Sequence, residues 1–89
     1  MSFHIRLTSF EQIKTFVALA ARQPFEVRVG NERQSINAKH LMGVICLDYS
    51  RPINVQADCS PDEGAAFYND ALALQGWYYR PGWFRDVFL

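Results

Sequence analysis

Residues 25–47 read FEVRVGNERQSINAKHLMGVICL, and this stretch decides the fold. Its first five residues alternate between apolar and charged side chains, which is the period-two pattern of a strand with one buried face. Gly30 and Asn31 follow, and both residue types tolerate a positive φ. The pattern therefore predicts a tight turn at Gly30 and Asn31 and a second, antiparallel strand over residues 33–38.

The periodicity changes after this predicted hairpin. Residues 41–45 form the run LMGVI, which is apolar on all sides and too short for an exposed amphipathic helix. We therefore predict a helix of one or two turns pressed onto the sheet. Residues 2–7 and 53–58 again alternate between apolar and polar side chains, and they predict the first and last strands.

Two longer helices flank the central stretch. The spacing from Thr8 to Glu11 is that of a capping box and predicts the start of the first helix, which Pro24 ends. Ser60 and Pro61 predict the start of the last helix, because a serine cap followed by proline suits a helix N-terminus. The apolar residues predicted to face the sheet are Phe10, Ile13, Phe16, Val17 and Ala20 in the first helix and Phe67, Ala71 and Leu74 in the last.

The run NAKHLMGV at residues 37–44, placed after a strand, a turn and a strand, resembles the middle of HPr, the histidine-containing phosphocarrier of the sugar phosphotransferase system. The resemblance covers about residues 3–74, and its specific residues lie mostly within 27–47. It implies an α+β fold of order βαββαβα, an open-faced β-sandwich with three helices on one face of a four-stranded antiparallel sheet. We expect an HPr-like domain over residues 1–76 and an aromatic C-terminal extension over 77–89.

The loop before the first helix departs from the family pattern. In HPr, a Gly-Leu-His-x-Arg-Pro type motif presents the phosphoryl-accepting histidine at the helix N-terminus. This chain is shorter there, and Ser9, Phe10 and Glu11 stand in place of the motif. A phosphorylated ring needs cations or N–H groups around it, whereas the Glu11 carboxylate would repel the phosphate. We therefore expect no catalytic residue at this loop, with Ser9 kept as an alternative acceptor beside its role as a helix cap.

His40 is the second alternative acceptor. It stands where many HPr proteins carry a regulatory serine, directly before the Leu-Met-Gly-Val run. A helix N-terminus would favour a neutral imidazole, which suits phosphoryl acceptance. The other interpretation is a half-exposed residue at a helix start without a chemical role. His4, the other histidine of the chain, is predicted on the solvated outer face of the sheet.

Three apolar residues of the short helix match the surface through which HPr proteins dock their partners. They are Leu41, Met42 and Ile45, and the resemblance implies that they bind a protein partner. Exposed apolar residues with a flexible methionine can serve as adaptable anchors. In the opposite interpretation, two of the three belong to the core and press on Phe67 and Leu72.

The extension after residue 76 holds six of the thirteen aromatic residues, counted from seven Phe, four Tyr and two Trp. One interpretation is that its rings fold back on the domain and cover the core or the sheet edge. The other is that Trp77 and Trp83 anchor an interface to a partner or to a second copy, since tryptophan is common at interface hot spots. We favour docking onto the domain, and a homodimer through the tail stays open.

Composition and charge exclude several classes of function. The chain has 89 residues, enough for one domain, and nine basic residues balance nine acidic ones. Without net charge there is no long-range attraction for polyanions, so nucleic acid and anionic membranes are poor candidate partners. The longest apolar run, residues 16–21, is too short for a membrane span, and no secretion signal precedes it. We therefore expect a cytoplasmic protein with Cys46 and Cys59 as buried, reduced thiols.

The sequence lacks the motifs that indicate an enzyme. It shows no paired catalytic carboxylates, no glycine-rich phosphate loop and no cluster of metal ligands. We therefore expect no enzyme, no metal and no cofactor. The expected function is that of a protein-binding or regulatory module related to the sugar phosphotransferase system. The alternatives are a phosphocarrier that uses His40 or Ser9, and a structural domain that forms homodimers.

Overall fold

The computed structural model of the chain describes residues 1–75, which form seven elements in the order βαββαβα. The strands make one antiparallel sheet in the order β1-β4-β2-β3. The predicted α+β architecture is therefore confirmed. The elements are β1 (Ser2–Ile5), α1 (Phe10–Ala21), β2 (Val27–Gly30), β3 (Ser35–Asn37), α2 (Leu41–Ile45), β4 (Ile53–Ala57) and α3 (Pro61–Leu74).

Alternation along the strands separates a buried face of the sheet from a polar one. Phe3 pairs with Val55, and Val29 pairs with the same residue from the other side, so their side chains share the buried face. The opposite face carries His4 and Arg28, as predicted. Arg28 donates to the Glu26 carboxylate at 3.2 Å, and this exposed pair contributes little to stability.

The turn between β2 and β3 contains Asn31, as predicted, but not Gly30. Gly30 closes β2 instead of forming the turn, and no residue of 1–75 has a positive φ. The turn is made by Asn31, whose Oδ1 accepts from the N–H groups of Arg33 at 2.9 Å and Gln34 at 3.1 Å. Gly30 is needed for another reason. A Cβ at this position would lie 1.8 Å from the carbonyl oxygen of Gln34, so the two strands could not approach.

The first helix begins one residue later than predicted. Its cap is Ser9, whose Oγ accepts from the Gln12 N–H at 3.1 Å while Gln12 Oε1 accepts from the Ser9 N–H at 3.2 Å. The predicted box of Thr8 and Glu11 is therefore wrong, because Ser9 and Gln12 satisfy the same orphan donors at the same spacing. Phe10, predicted to face the sheet, is 52% exposed.

The core is centred on α3, whose predicted start and inward stripe are confirmed. Phe67 is buried, and its ring centroid lies 5.9 Å from those of Phe3 and Phe25 and 6.2 Å from that of Phe16. Such edge-on and tilted contacts add to the free energy gained by burying each ring. Ser60 caps α3 in a box with Glu63, as the sequence signals of a helix start indicated.

The two cysteines are less buried than predicted. Both cysteines are free, but Cys46 is exposed and Cys59 is half-buried. The prediction of buried thiols is wrong for Cys46, because this residue caps the C-terminus of α2 and does not continue its buried side. The predictions for Trp77, Trp83 and the extension over 77–89 lie outside the described residues.

Candidate functional site

The second helix, α2, is short, and its buried side packs against β3. Val44 is fully buried, and Gly43 faces the Ile36 side chain of β3, where an added Cβ would lie 3.0 Å from Ile36 Cγ2. Its last turn is anchored by Tyr49, whose hydroxyl donates to the Val44 carbonyl oxygen. Burial raises the pKa of Tyr49 to about 12, so this hydroxyl keeps its proton at neutral pH.

Helix α2 carries the three apolar residues that were predicted to bind a protein partner. Met42 is 76% exposed, while Leu41 and Ile45 are half-buried and pack partly against the core. The alternative interpretation assigned two of the three to the core, and Met42 is not one of the residues that pack against it. We call Leu41, Met42 and Ile45 the α2 patch, and their role in docking remains a prediction.

Phe10 is a second exposed apolar residue, although its spacing predicts a place in the buried stripe. It is the first residue of α1, and Lys14 Nζ lies 5.4 Å from the centroid of its ring. Helix α1 packs against α2. Phe10 is the first residue of α1 and lies at the end of the stripe, before the buried residues Ile13 and Phe16.

The N-terminus of α1, where HPr would present its histidine, is closed by Gln12. This side chain is buried, and its Oε1 accepts from the Thr8 N–H at 2.6 Å and from the Thr8 hydroxyl at 3.1 Å. Its Nε2 donates to the carbonyl oxygen of Leu74 at 2.7 Å. The Ser9 Oγ is engaged as the cap. The N–H groups of Thr8, Ser9 and Gln12 at this helix end are thus already hydrogen-bonded within the protein.

Neither histidine of the chain lies at this helix end. His4 is exposed in β1, and it projects on the polar face of the sheet, away from the helices. His40 is the exposed N-cap of α2, and its side chain makes no capping hydrogen bond. The two alternative acceptors, Ser9 and His40, therefore lie at the starts of different helices.

The charged group nearest in sequence to the end of α2 is Asp48. Its carboxylate accepts from the Ser50 hydroxyl at 2.7 Å and from the Ser50 N–H at 2.9 Å. These hydrogen bonds hold the pKa of Asp48 below its usual value. They shape the loop before β4 and supply no acid or base to the α2 patch.

Over residues 1–75, His, Cys, Asp and Glu nowhere gather in a group of three that could hold a metal ion. In the same part of the chain, no helix combines the length and apolar character needed to cross a membrane.

Comparison with known proteins bears on the fold. No model of a protein family matches the sequence, and a search of curated proteins gives no match. Among solved structures, the crystal structure of HPr-C-His from Thermoanaerobacter tengcongensis superposes with a TM-score of 0.64 at 20% identity. The superposition covers 84% of this chain and 91% of the other. The fold is therefore HPr-like, as the sequence resemblance implied.

Proposed function

We propose that this chain is a protein-binding or regulatory module, related to the sugar phosphotransferase system, that does not carry phosphoryl groups. The observation that supports this proposal is the closed N-terminus of α1. Gln12 fills it with a neutral amide, and the buried Oε1 and Nε2 atoms both have partners inside the protein. A phosphoryl acceptor would need an exposed nucleophile there, with donors left over for the added charge.

The surface proposed for docking is the α2 patch, and Phe10 is a further exposed ring on helix α1, which packs against α2. Met42 and Phe10 are the two most exposed large hydrophobic residues of the part that the structure describes. Apolar groups exposed on a small domain are costly to hydrate, and a partner that covers them gains their burial free energy. In the HPr family, which this chain resembles, partners dock on the same short helix. We therefore expect a protein partner among the components or regulators of the phosphotransferase system.

Incubation with phosphoenolpyruvate and the general enzyme of the phosphotransferase system tests the loss of carrier activity. We expect the intact mass of the full chain to stay unchanged, while an HPr protein treated in parallel gains one phosphoryl group. An acid-labile label that disappears in His40→Ala would establish the phosphocarrier alternative in place of our proposal. A label that disappears in Ser9→Ala would do the same for the serine.

Substitution of Met42 by Glu tests the α2 patch. Because the side chain is 76% exposed, we expect Met42→Glu to keep the circular dichroism spectrum and the melting temperature of the parent. Binding to the general phosphotransferase enzyme, measured by calorimetry, should weaken about tenfold or more, since a charge replaces a buried anchor at the interface. Ala73→Glu, which adds the same charge to an exposed position of α3, is the matched control. Equal affinities for both variants would remove the α2 patch from the proposal.

A further inference from the structure

The chain has two methionines and two cysteines, and the structure places them in two pairs. Met1 and Cys59 lie against α3, since an added Cβ on Gly64 would lie 2.9 Å from Met1 Sδ and 2.7 Å from Cys59 Sγ. Met42 and Cys46 are one helical turn apart at α2, and both are exposed. The two methionines therefore differ in how freely a dissolved reagent reaches their sulfur atoms.

Met42 carries the more accessible thioether of the two. It is 76% exposed, whereas Met1 is half-buried and packs partly against the core. Peroxides oxidise methionine thioethers to sulfoxides, and a folded protein protects those sulfur atoms that the oxidant cannot reach. The structure therefore makes Met42 the methionine that reacts first while the domain stays folded.

Helix α2 is held in place by residues other than Met42. Val44 is buried, and its carbonyl oxygen accepts from the Tyr49 hydroxyl. Leu41 and Ile45 pack partly against the core. A change of polarity at Met42 therefore leaves the helix where it is and alters only the surface that the helix presents.

We propose that Met42 is a reversible oxidation site, and that its conversion to the sulfoxide releases a partner bound to the α2 patch. The second half of this inference rests on the proposed function, in which the patch docks a protein. A sulfoxide is strongly polar, whereas docking takes this side chain out of water. Ile45 follows Met42 by three residues on the helix, so the added oxygen lies beside another apolar member of the patch.

The oxidation transfers an oxygen atom from hydrogen peroxide to the Met42 sulfur. The sulfur donates an electron pair to the peroxide oxygen, an S–O bond forms as the O–O bond breaks, and water leaves. The thioether is oxidised and the peroxide is reduced. The reverse step needs a dithiol, the reductant used by methionine sulfoxide reductases; the dithiol becomes a disulfide, and the oxygen departs as water.

Peptide mapping of the full chain measures the selectivity of this oxidation. With limiting hydrogen peroxide under native conditions, we expect Met42 to form the sulfoxide about tenfold faster than Met1, because Met1 Sδ lies against α3. In concentrated urea, where the fold protects neither sulfur, the two rates should become similar. Equal rates for the two methionines in the folded chain would overturn the proposal.

Calorimetry before and after oxidation tests the effect on binding. Cys46 is exposed and its thiol also reacts with peroxide, so the measurement uses a Cys46→Ser background. In this background, we expect peroxide to weaken binding to the general phosphotransferase enzyme about tenfold, as a polar group replaces an apolar anchor. Methionine sulfoxide reductase with a dithiol should restore the affinity. The oxidised chain should keep the circular dichroism spectrum and the melting temperature of the untreated one.

Met42→Leu in the same background is the matched control, because leucine is apolar and of similar size but has no sulfur. Whatever affinity this variant has, peroxide should leave that affinity unchanged. An equal loss in Met42→Leu would assign the effect to another residue and overturn the proposal, and so would unaltered binding by a chain oxidised at Met42. Absence of binding before any treatment would contradict the proposed function and with it the effect on binding, whereas the peptide map would still report the selectivity of the oxidation.

Discussion

Gln12→Ala is expected to lower the free energy of unfolding by about 3 kcal/mol or more, which is a large share of the stability of a small domain. The amide of Gln12 satisfies the N–H groups of Thr8 and Ser9 and the carbonyl oxygen of Leu74. Removing it leaves these groups without partners near the core, and it also leaves a cavity. The contact with Leu74 joins the start of α1 to the end of α3, so both helix ends should loosen.

Urea denaturation followed by circular dichroism measures this loss. Lys14→Ala is the control, because Lys14 lies on the same helix with its side chain in solvent. It should change stability by less than about 0.5 kcal/mol, as substitutions at exposed helix positions usually do. Gln12→Glu tests the donor of the amide apart from its acceptor, because it keeps an oxygen and loses the NH₂ group. It retains an acceptor for Thr8 and Ser9 but sets a carboxylate against the Leu74 carbonyl oxygen, so at neutral pH it should also be strongly destabilised. A Gln12→Ala protein as stable as the parent would show that the closed helix end is not held by this side chain.

Phe67→Ala is expected to cost about 3–5 kcal/mol, the range found for removing a buried phenylalanine ring. Its ring is 2% exposed and lies within 6.2 Å, between centroids, of Phe3, Phe16 and Phe25. These three residues come from β1, from α1 and from the segment before β2. The substitution therefore removes contacts between three parts of the fold at once, and the cavity cannot close without moving a helix.

Thermal and urea denaturation should both show this effect, with a melting temperature lowered by well over ten degrees for a domain of this size. Phe10→Ala is a matched control, because it removes the same ring from a position that is 52% exposed. It should cost about 1 kcal/mol or less, since less apolar surface returns to water. Similar losses for the two variants would contradict the placement of Phe67 at the centre of the core.

The architecture was predictable from the sequence because its signals are local and agree with each other. Strand alternation, the cap at Ser60 and the short apolar run at Leu41–Ile45 each specify one element, and the resemblance to HPr supplied their arrangement. The exposure of Met42 was not predictable in the same way. A run that is apolar on all sides does not indicate which residue faces outward until the helix is set on the sheet.

The predictions for Gly30 and for the start of α1 differ from the structure because contacts beyond the local sequence decide both. Thr8 and Ser9 are both good N-caps. A cap at Thr8 would pair with the Glu11 side chain, and a cap at Ser9 pairs with the Gln12 side chain. That choice is made by tertiary contacts, since only Gln12 can also reach the Leu74 carbonyl oxygen across the domain. At Gly30 the sequence suggested a need for positive φ, whereas the requirement comes from the close approach of the Gln34 carbonyl oxygen. A single sequence does not distinguish these two uses of glycine.

At the start of α1, the Gln12 amide makes its hydrogen bonds within the protein. A phosphocarrier alternates between two charge states, and its partners can tell a loaded carrier from an empty one. If the proposed function holds, a chain with a neutral amide at this helix end would show every partner the same face at all times. While Met42 stays unoxidised, its influence on a signalling route would then be set by how many copies are made, as with a stoichiometric competitor, and control would lie in its synthesis and turnover.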